Sequence, residues 1–230
     1  PTYPPRNRNV TTKQIVTVHD LTWWKYPETS SFLGKNYYKQ NMSKAILQSD
    51  LIICPSNAIK NEIHQKFSIP TNKIIAIAHG NSLPIGIKKS PTKPYFLSIG
   101  TIEPRKNLDF YAQAIAETGL VNSFDFIHVG RKGWGNLPSQ LKLVQVNNDQ
   151  ELANLITNAQ AVVIPSLYEG FGLPLIEAAS VGVPVVCSDI PVFREIGNTF
   201  CKFFDSSNFK DFDKAVALYN DKQYQAAQIL

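Results

Sequence analysis

The chain has 230 residues, 43% hydrophobic and 18% charged, a globular mix that excludes global disorder and low-complexity architectures. No run reaches the roughly 18 apolar residues of a membrane-spanning helix; the longest, such as 161–164 and 183–187, are of strand length. The net charge of +5 suits a phosphate-bearing ligand or an anionic surface but requires neither.

In chain order, Pro1 to Arg8 carries no signal-peptide pattern, and a start at proline reads as a cut edge. Gln14 to Val18 is β-branched and predicts a strand ending in His19-Asp20. Residues 32–49 carry helical spacing (Tyr38, Met42, Ala45, Ile46), then Leu51 to Cys54 reads as a strand. Ser56 caps a helix with Ile59, Ile63 and Phe67 at spacings of four, and Lys73 to Ala78 predicts another strand. From Gly80 to Pro94 glycine, proline and lysine occur without periodicity. That stretch predicts a linker, set at 86–94, between domains at 1–85 and 95–230.

Beyond it, strands are predicted at 95–100, 124–130, 143–146, 161–164 and 184–188. Helices are predicted at 107–117, 149–157, 173–179 and 209–219. Short apolar runs alternating with amphipathic stretches are the signature of βαβ units around parallel sheets, so the fold class is α/β. Cys54, Cys187 and Cys201, three and widely spaced, read as reduced thiols of a cytosolic protein, not as a disulfide framework or zinc site.

Three segments carry chemistry. The sequence from Ser166 to Ser180 follows an apolar strand and opens into a helix, a junction that in a parallel sheet lies at the ligand-binding carboxyl edge. Gly170 and Gly172 let backbone N–H groups approach a ligand, while Glu169 and Glu177 can accept from hydroxyls. Backbone amides for phosphate and carboxylates for hydroxyls suit a nucleotide sugar; a plain strand-to-helix turn with solvated glutamates is the bland alternative. The second segment, Ser98 to Asn107, sets Arg105 and Lys106 beside a helix start, either as a diphosphate clamp or as a solvated surface pair. The third is His19, a proton carrier or hydroxyl donor at a strand end, or a locally bonded histidine.

His79-Gly80 reads as a hinge, and the glycines of 130–135 read as a loop lining a cleft. Trp23-Trp24 beside Lys25 reads as packing more readily than as an acceptor or membrane contact. His19, His64, His79 and His128 stand far apart with no metal-ligand spacing, so no metal is expected.

The order and spacing of these segments resemble the retaining glycosyltransferases of the GT-B fold, glycosyltransferase family 4, the group 1 family that includes bacterial mannosyltransferases. The residues that carry the resemblance are Val16 to Leu21 with Tyr26-Pro27-Glu28, Ser49 to Ser56, Gly100 to Asn107, Glu169 to Glu177, Gly182 to Val185 and Arg194 to Gly197. It implies two Rossmann-like domains with parallel sheets: an acceptor-side one, incomplete in this chain, and a donor-binding one. It implies that Arg105 and Lys106, with Gly100 and Thr101, hold a donor diphosphate and that Glu177 holds the ribose. Glu169 with Gly170, Phe171, Gly172 and Leu173 would hold the sugar, and His19 would contact it from the acceptor side. Many family members carry the phosphate arginine at the position of Thr101, so Arg105 would act from four residues further on.

The implied reaction moves a hexose, mannose first, from GDP-sugar or UDP-sugar to a hydroxyl of a saccharide or polyprenyl-linked acceptor, with retention and without cofactor or metal. The implied setting is cytoplasmic, with peripheral contact at the inner membrane face and no nucleic-acid partner. A GT-B sugar-nucleotide epimerase and a non-catalytic sugar-nucleotide-binding subunit are the alternatives.

Overall fold

The computed structural model describes residues 13–27, 32–89, 91–217 and 219, and of 32–38 the backbone only. Pro1 to Arg8 and Glu28 therefore lie outside the described residues, as does the side chain of Tyr38. The chain divides into two units, residues 1–79 with Glu169–Phe171, and residues 80–168 with 172–230.

The first unit holds β1 (Ile15–Thr17), α1 (Thr22–Lys25), α2 (Phe32–Gln48), β2 (Leu51–Cys54), α3 (Asn57–Phe67) and β3 (Ile74–Ala76). Its three strands form a parallel sheet in the order β1-β2-β3, with Val16 opposite Ile52 and Ile52 opposite Ile74. Those three side chains are buried, whereas Ile15 and Ile75 are exposed, the alternation that a period of two produces. Met42, Ala45 and Ile46 of α2 and Ile59 and Ile63 of α3 are buried too. Ser56 caps α3, its Oγ accepting from the Ile59 amide at 3.3 Å. The tryptophan pair packs on the far end of α3: Trp23 beside Phe67, with the Lys66 ammonium 4.0 Å from the Trp24 ring centre.

The second unit runs β4 (Tyr95–Ile99), α4 (Leu108–Thr118), β5 (Asp125–Val129), β6 (Lys142–Val144), α5 (Asp149–Asn158), β7 (Ala161–Ile164), α6 (Leu173–Ser180), β8 (Val185–Ser188), α7 (Pro191–Gly197), β9 (Cys201–Phe204) and α8 (Phe209–Ala217). Its six strands are all parallel, in the order β6-β5-β4-β7-β8-β9. Counted within the unit this is 3-2-1-4-5-6, the doubly wound order, with its topological switch between β4 and β7. Strands β7 and β8 are buried at every residue, as expected of central parallel strands covered on both faces. Phe96, Tyr111, Phe126, Phe204 and Phe212 knit the sheet to α4 and α8, each large side chain contributing about 1.5–3 kcal/mol by burial.

Residues 80–89 belong to this second unit, where three amide side chains one turn apart on α5 hold an extended backbone. Gln150 donates to the Ile85 carbonyl at 3.1 Å, Asn154 accepts from the Ile87 amide at 2.7 Å, and Asn158 donates to the Ile87 carbonyl at 2.8 Å. Asn158 also accepts from the Lys89 amide at 2.5 Å. The spacings match, since about 6 Å per helical turn meets about 6.6 Å per two extended residues. Gly86 is required there, because a Cβ would stand 2.3 Å from the Ala153 carbonyl oxygen.

Compared with the expectation from sequence, β9, α1 and α7 are additions, and the other elements stand within a few residues of it. The cysteines are buried and unbridged. Among the described residues no helix is long and apolar enough to cross a membrane, and no three His, Cys, Asp or Glu side chains cluster as a metal site.

Candidate active site

In the second unit the loops that matter leave the carboxyl ends of β4 and β7, on either side of the switch point. After β4 the chain turns at Gly100, whose φ of +146° is closed to L side chains. A Cβ there would also stand 2.9 Å from Cε and 3.1 Å from Nζ of Lys106, so the lysine stem lies where a side chain would be. Lys106 is itself buried, at 9% exposure, on the short 3-10 turn Pro104–Lys106. Asn107 then adopts φ of +54° and starts α4, a left-handed position that asparagine tolerates.

The neighbouring Arg105 is engaged with protein. Its guanidinium sits 2.7 Å from the Glu103 carboxylate and donates to the Tyr168 carbonyl at 3.0 Å, while the Arg105 carbonyl accepts from the Leu167 amide at 2.8 Å. Both side chains are largely buried, at 15% and 8% exposure. This bracket ties the loop after β4 to the loop after β7. The sequence reading of Arg105 and Lys106 as a matched pair thus meets two different environments.

The glycines at 130, 133 and 135 pack on the loop after β4. The Gly100 amide donates to the Val129 carbonyl at 2.9 Å, Ile102 to Arg131 at 2.9 Å, and Gly135 to Ile102 at 3.0 Å. A Cβ on Gly130 would meet the Gly100 carbonyl oxygen at 1.7 Å, and one on Gly133 the Ile102 oxygen at 2.6 Å. Strand pairing between β4 and β5 so continues past the sheet edge, which needs bare backbone on one side. A cavity of about 440 Å³ opens here, lined by Gly100, Thr101, Gly130, Arg131, Gln145 and Val146 among others.

After β7, Gly172 has φ of +102°, and the Phe193 ring fills the space of its missing Cβ, 2.7 Å away. Leu173 begins α6 and is exposed; Glu177 lies one turn further on, half-buried. Burial first and the charge of Asp149 second raise the pKa of the Glu177 carboxyl. The Glu177 carbonyl accepts from Ser180 Oγ, which in turn accepts from Asn81 Nδ2, both at 2.8 Å.

The remaining predicted residues fall in the first unit, to which Glu169, Gly170 and Phe171 belong. The Gly170 carbonyl accepts from Ser56 Oγ at 2.9 Å, and a Cβ on Gly170 would stand 2.0 Å from the His19 carbonyl oxygen. The backbone at Gly170 therefore lies against that of His19, about 150 positions away in sequence. His79, read from sequence as a hinge residue, stacks on His19 with ring centres 5.9 Å apart and meets the Phe171 ring edge-on at 5.1 Å. Sequence reasoning also missed His128, a buried residue of β5 bonded to Ser98 and Gly100; the only signal was a polar residue within an apolar strand.

Two parallel sheets, one with paired glycine corners at its switch point, define an α/β protein of the GT-B fold. The chain belongs to the family described as glycosyl transferases group 1, whose model matches residues 84–228. It is 28% identical to the O-antigen chain mannosyltransferase RfbU of Salmonella typhimurium, over 88% of this chain and 60% of that protein. It is 29% identical to the O-antigen chain mannosyltransferase B of Escherichia coli, over 80% of this chain and 55% of the relative. The chain thus spans a little over half the length of these curated relatives. In fold it resembles sucrose-phosphate synthase from Thermosynechococcus elongatus, with a TM-score of 0.74 at 18% identity, covering 96% of this chain and 61% of the other. Anabaena HepE in complex with UDP-glucose gives 0.73 at 16% identity, covering 94% and 65%.

Proposed function

We propose that the chain forms part of a family 4 hexosyltransferase that moves mannose from GDP-mannose to a hydroxyl of a saccharide or polyprenyl-linked acceptor, with retention and without a metal. The observation that carries this reading is the buried Lys106 against Gly100 at the carboxyl end of β4, facing across the switch point to the glycine corner that starts α6. Mannose is favoured because two relatives named as mannosyltransferases match most of this chain.

In this reading the diphosphate lies against the loop after β4. Lys106 supplies positive charge to the leaving nucleoside diphosphate, and the backbone N–H groups of Gly172 and Leu173 add donors at the start of α6. Arg105 acts by holding the two loops in register through Glu103 and Tyr168. Glu177 accepts from the ribose hydroxyls, and Glu169 with the amide of Phe171 orients the sugar. As the anomeric bond to the diphosphate breaks, charge on the sugar becomes oxocarbenium-like. The acceptor hydroxyl then attacks the face that the diphosphate is leaving, its proton passing to the departing phosphate oxygen, and configuration is retained. His19 donates to a sugar hydroxyl. A lipid-linked acceptor would bring the protein to a membrane surface.

Thermal-shift titration of the protein with GDP, UDP, GDP-mannose and UDP-hexoses tests the donor. Stabilisation by GDP and GDP-mannose above the uridine compounds is expected; indifference to all four overturns the reading. Lys106→Ala is expected to weaken GDP binding by about 1.5–3 kcal/mol, the worth of a charge-assisted contact. Release of a new sugar nucleotide without any acceptor would mark an epimerase.

A further inference from the structure

His128 takes no part in the chemistry above, yet it is buried at 1% exposure directly beneath the loop after β4. Its Nε2 lies 2.9 Å from the Gly100 carbonyl oxygen, and its Nδ1 lies 2.8 Å from Ser98 Oγ. A carbonyl oxygen only accepts, so Nε2 carries the proton. In the neutral ring Nδ1 then accepts from the Ser98 hydroxyl. Both ring nitrogens are satisfied with a single tautomer, which fixes the ring between β4 and β5.

The atom that His128 holds is at a sensitive place. Gly100 is the corner residue at φ +146°, and the stem of Lys106 takes the space of its missing Cβ. On its other side Gly130 comes so close to the Gly100 carbonyl that no Cβ fits between them. The corner has no side chain of its own, and its carbonyl direction is set by the donor it meets. We propose that His128 is a positioning residue of the donor site, its neutral Nε2–H fixing the Gly100 carbonyl and through it the seat of the Lys106 ammonium. The proposal rests on the reading of Lys106 as the diphosphate ligand. Burial chiefly, and the Lys106 charge in addition, depress the imidazole pKa, opposed by the bond to Gly100, so the neutral form persists at neutral pH.

The two nitrogens allow a test that a merely structural role would not pass. A glutamine amide reaches about as far as Nε2, and an asparagine amide about as far as Nδ1. His128→Gln can thus keep the donor to Gly100, whereas His128→Asn keeps only the contact to Ser98. GDP affinity of the full chain is measured by calorimetry for wild type, His128→Gln, His128→Asn and His128→Leu, with UDP as a second probe. The expected result is affinity within twofold of wild type for Gln and a loss of about tenfold for Asn and Leu, one charge-adjacent hydrogen bond. Equal affinities for Gln and Asn, or an unchanged Leu variant, would overturn the proposal while leaving the Lys106 reading intact. If wild type binds neither nucleotide, the donor-site reading falls and takes this proposal with it. Nitrogen-15 NMR of the histidine rings at pH 7 provides a check independent of variants: an Nδ1–H tautomer, or an imidazolium, at His128 overturns the assignment.

Discussion

The loop after β4 and the segment 80–89 use one device with different strength. In each, side chains bond to backbone groups at the margin of regular structure. At 100–107 the device is a guanidinium and an imidazole, both largely buried, acting on carbonyls at the sheet edge. At 85–89 it is a row of side-chain amides on α5, Gln150 exposed and Asn154 and Asn158 half-buried. The guanidinium's charge-assisted bond is worth roughly twice a neutral one, the imidazole's neutral bond is made out of water, and the less buried amides on α5 compete with solvent. The first region is therefore expected to be the more firmly held of the two.

The largest effect should come from opening the bracket. Arg105→Met removes the partner of a carboxylate that is 8% exposed and should cost about 3–5 kcal/mol of unfolding free energy. The double variant Arg105→Met with Glu103→Gln should recover part of the loss in urea denaturation. Equal stability of the single variant and wild type would show that the bracket holds nothing.

Next comes the packing of glycine on the loop. Gly130→Ala puts a methyl group within 1.7 Å of the Gly100 oxygen, so the two loops must part, at about 1–3 kcal/mol. Gly80→Ala is the control: nothing lies within 4 Å of its Cβ, and a change within about 0.5 kcal/mol is expected. Comparable losses at both positions would erase the contrast between the regions.

A smaller effect is expected on the strap. Asn154→Ala with Asn158→Ala should cost about 0.5–1.5 kcal/mol per bond at most. Hydrogen exchange should quicken at the Ile87 and Lys89 amides while the amides of β4 stay protected. Unaltered exchange at 87 and 89 would mean that the asparagines do not hold the strap.

These contrasts also explain what the sequence could and could not reveal. The parallel-sheet class was legible because periodicity and apolar runs report burial directly, and the loops after β4 and β7 were legible because glycine beside charge marks a strand end. β9 was not legible: Cys-Lys-Phe-Phe is four residues long and becomes a strand by pairing with β8. α7 was missed because seven residues starting at Pro191 form less than two turns. The strap read as a linker because its order comes from asparagines some 70 residues away, which no local pattern contains. The different surroundings of Arg105 and Lys106 arise the same way, since Tyr168 reaches Arg105 only through the sheet order.

The smallest effect separates the two regions by pH. In the folded protein the pKa of His128 is lowered below the ordinary value, chiefly by burial, which favours the neutral ring. In the unfolded chain the ring titrates near about 6.5. Above pH 7 both states are neutral and the full stability is present. As the pH falls through the unfolded value the unfolded chain takes up the proton first, so stability is lost until the folded pKa is reached. The raised Glu177 carboxyl acts in the opposite sense but is common to wild type and the His128→Gln variant, so it cancels between them. Between pH 7.5 and 5.5 the Tm of wild type should therefore fall further than that of His128→Gln. The strap, which holds no titrating side chain in its amide ladder, should show the same pH response with and without Asn154 and Asn158. A pH slope that persists unchanged in His128→Gln would assign the acid sensitivity to another group and leave the β4 loop no more pH-dependent than the strap.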